Sequence, residues 1–205
     1  YPAWPMINKA TAGVLGYSTR AEVAAEIVAA EEANGAINAT LVAAELTEVS
    51  ADAKLMQYAT SSGAAVFRTW CSQCHGSGAA GVQASGYPNL LDDDWLWGGD
   101  IENIHLTIAH GIRNEEDLDS RYSKMPAYGE IFEEEESLSV VQYVKSLSGT
   151  PDDATLAAAG EELFLDNCAA CHGEEGLGDI YQGAPNLADA IWLYGGTRED
   201  IEYSI

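Results

Sequence analysis

The chain has 205 residues, with 33 acidic and 9 basic side chains and a formal net charge of -24. This balance excludes binding to nucleic acid, because phosphate recognition needs a basic surface. No run of about 18 apolar residues occurs, so no segment of the sequence is expected to span a bilayer. The chain begins with Tyr1 and shows no leader, which predicts a processed chain or a piece of a longer one.

The N-terminal segment, residues 1–60, is predicted to be a helical linker. An Ala- and Glu-rich stretch from Thr19 to Ala33 predicts an exposed helix that ends at Asn34-Gly35. A second helix is predicted from Ala36 to Glu48.

The four cysteines form two pairs, each followed by a histidine in the pattern Cys-x-x-Cys-His, which is the attachment signature of c-type haem. Two thiols three positions apart lie on one face of a helical turn. Each can therefore form a thioether with a haem vinyl group, while the adjacent histidine ligates the iron. The sequence predicts two covalently bound haems, held by Cys71, Cys74, Cys168 and Cys171, with His75 and His172 as iron ligands.

Other uses of paired cysteines fit this chain less well. A disulfide framework is unusual for so few cysteines in a chain of this length, and zinc ribbons place their second pair about 15 to 20 residues on. A thioredoxin-like redox pair needs a βαβ context, which the sequence does not suggest.

The surrounding sequence favours haem because it repeats. Residues 63–108 align with residues 160–205 without a gap, at an offset of 97. Identical positions extend well beyond the two haem motifs and include several glycines and the sequence Pro-Asn-Leu. Two tandem copies of one module, each with its own motif, indicate a di-haem cytochrome c.

The first module is expected to consist of helices and loops around a haem. Residues 63–71 should form a helix that delivers Phe67 to the core, and the Gly-rich loop 76–88 should wrap the haem edge. Apolar residues at helical spacing predict an amphipathic helix over 100–110. A helix over 136–147 should close the module by packing against its first helix.

The predicted fold is therefore all-α, with two tandem class I cytochrome c domains after the helical linker. The first domain, called here the first module, covers residues 61–149, and the second module covers 150–205. The second module lacks a counterpart of the closing helix, because the equivalent of Leu147 falls beyond Ile205. We expect the native product to extend by roughly 40 residues, since each copy needs its full unit to bury a core.

A second axial ligand is expected on each iron, with Met or His as candidates. Met125 follows His75 by 50 positions and lies in a predicted loop, where core packing does not explain a methionine. We predict Met125 as the ligand of the first iron, with His105 and His110 as rivals. The remaining methionines, Met6 and Met56, are expected to pack.

These features together resemble the di-haem subunit III of cbb3-type cytochrome c oxidases. The resemblance covers nearly the whole chain, and its specific part is Pro-Asn-Leu followed by Trp-Leu-Trp/Tyr-Gly-Gly in both modules, at 88–99 and 185–196. An aromatic opening around Tyr1 and Trp4 adds to it. By itself this opening fits either an ordinary loop or a segment at a membrane surface.

The resemblance implies an electron-transfer subunit rather than a catalytic one. In that family an N-terminal anchor, absent from this chain, holds the subunit in the bacterial inner membrane, with the haem domains in the periplasm. Electrons pass from a cytochrome c donor towards a mono-haem cytochrome c subunit and the oxygen-reducing haem-copper subunit. The implied ligands are His75 with Met125 on the first iron and His172 with a methionine beyond the chain end on the second.

Two other functions would share the tandem haem motifs. A soluble di-haem electron carrier would have no reason for a membrane-proximal aromatic opening. A di-haem peroxidase would need one iron open to peroxide and acid–base groups beside it.

Acidic runs at 92–94 and 133–136 are either solvated faces or docking sites for a basic cytochrome. Residues 151–205 carry twelve acidic side chains and one basic one. We therefore expect a basic donor to dock on the second module.

Overall fold

The computed structural model describes residues 18–205, and this part of the chain is helical, which confirms the all-α prediction. No strand occurs among these residues, only three isolated bridges. None of the helices they form is both long and apolar enough to cross a bilayer. The predictions for Tyr1, Trp4 and Met6 lie outside the described residues.

The chain divides into two compact units, Tyr1–Ser62 and Gly63–Ile205. In the first unit, helix α1 spans Thr19–Ala43, and the Ser18 hydroxyl accepts a hydrogen bond from the Ala21 amide at its N-terminus. A 3₁₀ segment, Leu46–Ala51, follows.

Helix α1 is continuous, so the predicted break at Asn34-Gly35 is wrong. The Asn34 side-chain amide donates to the Ala30 carbonyl at 2.8 Å, which fixes Asn34 within the helix. A glycine inside a helix costs about 1 kcal/mol relative to alanine, and the many Ala and Glu residues of α1 offset that cost. The helix has no buried residue.

Helix α2, Ala53–Val66, begins in the first unit. Leu55 is its buried residue, and the Tyr58 hydroxyl donates to the Asn38 side chain at 2.8 Å. The Met56 side chain is 46% exposed, so the prediction that it packs is wrong.

The second unit contains the two haem motifs. A π-helical turn, Phe67–Cys71, continues α2 into the first motif. The remaining helices are, in chain order, α3 Ser72–His75, α4 Ile101–His110, α5 Glu134–Ser148, α6 Ala154–Asn167, α7 Ala169–His172 and α8 Arg198–Ser204. Two 3₁₀ turns, Gln83–Ser85 and Tyr128–Glu130, lie in the loops.

The core of the second unit lies between α5, α6 and α8. Its buried side chains are Val140, Val141, Val144, Phe164, Cys168 and Ile201. Helix α5 packs against α6 and α8, so the prediction that it closes on the first helix of its own module is wrong. The short connection 149–153 favours this pairing, because it joins α5 and α6 as an antiparallel hairpin.

The phenylalanine that occupies equivalent positions in the two copies is consequently buried to different extents. Phe164 is fully buried in the core, whereas its repeat counterpart Phe67 is only half-buried and the nearby Trp70 is 75% exposed. Phe67 therefore does not reach the core as predicted.

Polar contacts fix the hairpin connection. The buried Gln142 side-chain oxygen accepts from the amides of Asp152 and Asp153 at 2.7 and 3.1 Å. The Lys145 ammonium binds the Asp152 carboxylate at 2.6 Å and lowers its pKa. The Asp153 side chain then accepts from the first amides of α6.

Gly160 of α6 lies against α5, and a Cβ there would overlap the backbone carbonyl of Ser139. We expect Gly160→Ala to lower the free energy of unfolding by about 1–3 kcal/mol, because the backbone of α5 must move. Chemical denaturation followed by circular dichroism measures the change.

The repeat provides a matched control for this change. Gly63 is the counterpart of Gly160, yet a Cβ there meets nothing within 4 Å, so Gly63→Ala should be neutral or stabilising by up to about 1 kcal/mol. The reverse order, with Gly63→Ala the more damaging change, would mean that α5 packs on its own module.

Candidate haem-binding sites

The predicted attachment cysteines have the same backbone geometry in both modules. Cys71 has φ -101° and ψ -34°, and Cys168 has φ -111° and ψ -33°. In each case the residue starts the short helix that carries the second cysteine and the histidine. All four thiols are free, and none forms a disulfide.

Each motif histidine is held by the carbonyl of a proline thirteen residues later. His75 Nδ1 lies 3.1 Å from the Pro88 carbonyl, and His172 Nδ1 lies 3.0 Å from the Pro185 carbonyl. A carbonyl only accepts, so Nδ1–H is the donor in both pairs. The lone pair of Nε2 is then free to bind a metal, which is the usual arrangement of a metal-binding histidine.

The loops between histidine and proline are also built alike. The Gly81 amide donates to the His75 carbonyl at 2.9 Å, and the Gly178 amide donates to the His172 carbonyl at 2.8 Å. Both glycines have positive φ, 76° and 81°, and a Cβ on either would collide with the backbone of the proline segment. Glycine is therefore required where each loop folds back on its histidine.

The asparagine of each Pro-Asn-Leu sequence stabilises the turn that follows. The Asn89 side chain accepts from the Leu91 amide at 3.0 Å, and the Asn186 side chain accepts from the Ala188 amide at 2.8 Å. Such side-chain turns fix the direction of the backbone. The sequence signals the motif by repeating it, but the role of the proline carbonyl was not predicted.

The second site is the more buried of the two. His172 is buried, which lowers its pKa and keeps the imidazole neutral, as a metal ligand must be. Burial, followed by the neighbouring Cys171, raises the pKa of Cys168 to about 11. The Cys171 thiol donates to the Gln182 side chain at 3.2 Å.

The residues present fit a c-type haem in both modules. Each motif offers two free thiols and a histidine whose Nδ1 is engaged and whose Nε2 is available. Thioether attachment needs the first feature and iron ligation the second.

The candidate distal ligands are spread over the first module. Met125 is 43% exposed and lines a cavity of about 650 Å³ together with residues 202–205 of the second module. Neither His75 nor His172 lines this cavity, so no pairing of Met125 with an iron ligand is visible. Of the rivals, His105 is exposed and His110 Nδ1 is engaged by the Asp117 carboxylate at 3.0 Å.

Comparisons with known families assign both halves of the repeat to cytochrome c-type domains. The family model described as cytochrome c oxidase, cbb3-type, subunit III matches residues 59–144. The family model described as cytochrome c matches residues 157–205. The two matches confirm tandem cytochrome c domains.

Characterised relatives resemble the chain along almost its whole length. The cbb3-type cytochrome c oxidase subunit CcoP of Cereibacter sphaeroides is 58% identical over 207 residues, which covers 100% of this chain and 71% of the relative. The FixP subunit of Sinorhizobium medicae is 50% identical over 95% of this chain and 67% of the relative. The FixP subunit of Bradyrhizobium diazoefficiens is 46% identical over the same shares. The chain therefore belongs to the family of cbb3-type cytochrome c oxidase subunit III, the CcoP/FixP proteins, whose cytochrome c domains carry covalently bound haem.

Proposed function

We propose that this chain carries two covalently bound haems and passes electrons from a cytochrome c donor to the oxygen-reducing haem-copper subunit of a cbb3-type oxidase. The observation that carries this proposal is that the same arrangement of thiols, imidazole and proline carbonyl occurs twice. On this route, a mono-haem cytochrome c subunit would lie between this chain and the haem-copper subunit. An N-terminal anchor beyond this chain would hold it in the bacterial inner membrane, with the haem domains in the periplasm.

In this proposal each module, 61–149 and 150–205, binds one haem. The haem supplies reversible one-electron chemistry at its iron. The thiols would attach the haem to the chain, and the imidazole would ligate its iron. The proline carbonyl keeps the imidazole in the required tautomer and orientation, which limits rearrangement when the charge on the iron changes.

The number of haems is tested by intact mass and haem staining of the mature subunit. We expect the mass of two haems on the native chain. Replacing Cys71 and Cys74 by alanine should remove one haem, and replacing Cys168 and Cys171 should remove the other. A native chain with a single haem would contradict the proposal.

The role in the oxidase is tested by oxygen consumption with a reduced cytochrome c. Complexes that contain either cysteine double variant should assemble and lose turnover with this donor. Undiminished turnover in an assembled variant would show that the missing haem lies off the electron route.

We propose Met125 as the second ligand of the first iron, because it lies in a loop of the same module, 50 positions after His75, and its thioether is 43% exposed. Met125→Ala should lower the potential of one haem and allow it to bind CO, since methionine ligation raises the potential and fills the site. Potentiometric titration of the mature subunit and CO difference spectra measure both effects. Met56→Ala is the matched control, because Met56 is 46% exposed.

Two results would change this assignment. If neither haem responds, Met125 is not a ligand. If the response belongs to the haem attached at Cys168 and Cys171, Met125 ligates the iron of the second module. Such ligation across modules would parallel the packing of α5, from the first module, on α6 of the second.

We propose that the donor docks on the second module, where residues 151–205 are strongly acidic. Electron entry from a basic cytochrome c should slow as ionic strength rises to about 0.15 M, because salt screens exposed charges. Replacing the exposed Glu174 and Glu175 by lysine should slow entry at low salt. The same change at Glu31 and Glu32, an equally exposed pair on α1, should have little effect.

The rate of electron entry from the donor, measured by stopped-flow over a series of salt concentrations, decides between the outcomes. A rate independent of salt would contradict electrostatic docking. An equal loss in the two lysine variants would mean that only net charge matters.

A further inference from the structure

Besides the packing of α5 on α6 and α8, the two modules touch through one aromatic ring and one glycine from each. The indole ring of Trp97, in the first module, packs so closely on Gly183 of the second that a Cβ there would overlap the ring. The ring of Tyr194, in the second module, packs on Gly86 of the first, and a Cβ there would lie 2.7 Å from the Tyr194 Cε1 atom. We call these two pairs the reciprocal contact.

The reciprocal contact obeys the repeat. Trp97 and Tyr194 occupy equivalent positions at the offset of 97, and so do Gly86 and Gly183. Each contact therefore becomes the other when the two modules are exchanged. A contact of this kind is isologous, the relation that defines a two-fold interface between identical subunits. The reciprocal contact thus has the pairing of a local two-fold interface, which the packing of α5 on α6 does not share.

The glycines of the reciprocal contact belong to the loops that hold the motif histidines. Gly86 lies two residues before Pro88, whose carbonyl binds His75. Gly183 lies two residues before Pro185, whose carbonyl binds His172. Each aromatic ring is therefore packed on the segment that orients the iron ligand of the opposite module.

Trp97 is held rigidly in this position. It is 9% exposed, and the Arg121 guanidinium stacks on its ring with 5.1 Å between Cζ and the ring centroid. The guanidinium also donates to the Trp97 carbonyl at 2.7 Å and to Asn103 and Thr107 of α4. The Arg121 Nε atom has no hydrogen-bond partner, but it is covered by protein and is therefore not accessible to a ligand. The role of Arg121 is to support the indole ring.

Further contacts surround the aromatic–glycine pairs. The Gln83 side-chain amide donates to the Trp192 carbonyl at 2.7 Å. Asp94 of the first module and Asp189 of the second line one cleft of about 440 Å³. Burial, followed by the Asp189 carboxylate, raises the pKa of Asp94. The docked surface thus extends beyond the two aromatic rings.

We infer that the reciprocal contact is an intramolecular docking surface that sets the rate of electron exchange between the two modules, with Trp97, Tyr194, Gly86 and Gly183 as its positioning residues. The step moves one electron from a reduced module to an oxidised one, so that one iron is oxidised as the other is reduced and no proton or bond is transferred. This inference rests on the proposed presence of two haems.

The test uses the mature subunit with both haems, photoreduced so that exchange between the modules is followed optically. Replacing Trp97 and Tyr194 together by alanine should slow exchange by up to about a hundredfold, the loss that a misplacement of about 1 Å can cause when reacting groups must be held in position. Replacing both by phenylalanine should restore most of the rate. The potentials and spectra of the two haems should stay unchanged in both variants.

A steric variant tests the same surface from the other side. Gly183→Ala should slow exchange because its Cβ overlaps the Trp97 ring. Gly111→Ala is the control for backbone strain, because Gly111 has a similar positive φ of 73° but a Cβ there meets nothing closer than 3.7 Å. Unchanged exchange in both the double alanine variant and Gly183→Ala would overturn the inference.

Dipolar coupling between the two ferric haems, measured in the unmodified subunit by pulsed electron paramagnetic resonance, gives an independent check. Docked modules should give one short and narrow distance distribution, and a broad or long distribution would overturn the inference. Two other results would instead contradict the proposed function. The first is a subunit that carries one haem, and the second is a subunit with normal exchange between its modules that does not pass electrons to the oxidase.

Discussion

The hydrogen bond from a histidine Nδ1–H to a proline carbonyl is the interaction on which both sites depend. It connects the end of a haem-motif helix to a loop thirteen residues away, at 3.1 Å for His75 and 3.0 Å for His172. The bond fixes the imidazole tautomer with its proton on Nδ1, so the lone pair of Nε2 is available to a metal. The positive-φ glycines allow the loop to come back close enough to the histidine for this bond to form.

Around these identical loops, the helices are arranged differently in the two modules. The second motif starts directly from α6, whose Phe164 lies in the shared core, and its His172 is buried. The first motif starts from a π-helical turn, and its Phe67 and His75 are only half-buried. Since burial changes the cost of charge on or near an iron, the two modules offer their haems different electrostatic surroundings.

Local features of the fold could be predicted from the sequence, and long-range packing could not. The helix over 100–110 is confirmed as Ile101–His110, with Asp100 capping it, because apolar spacing and a capping residue are local signals. The break at Asn34-Gly35 was predicted wrongly because the prediction gave more weight to the low helix propensity of Asn and Gly than to the helix-forming residues on either side. The partner of α5 was also predicted wrongly, because an apolar face does not identify the helix that covers it, and the short connection places α6 beside α5.

The same distinction applies to the sites. The cysteines and histidines were predicted from their spacing and from the repeat around them, since the chemistry of haem attachment requires that spacing. The proline carbonyls escaped prediction because a backbone acceptor leaves no mark in residue type. Trp97 and Tyr194 were visible as repeated aromatics, but their contacts cross between modules, and a repeat does not reveal which surface of one copy meets the other.

The α5–α6 hairpin has a consequence for how the molecule comes apart. Val140, Val141 and Val144 belong in sequence to the first module, yet they complete the core around Phe164 of the second. Opening α5 would therefore also uncover Phe164, one turn before the second motif. The hairpin therefore couples the two modules in unfolding, and we expect the unit Gly63–Ile205 to unfold in a single transition although it contains two haem motifs.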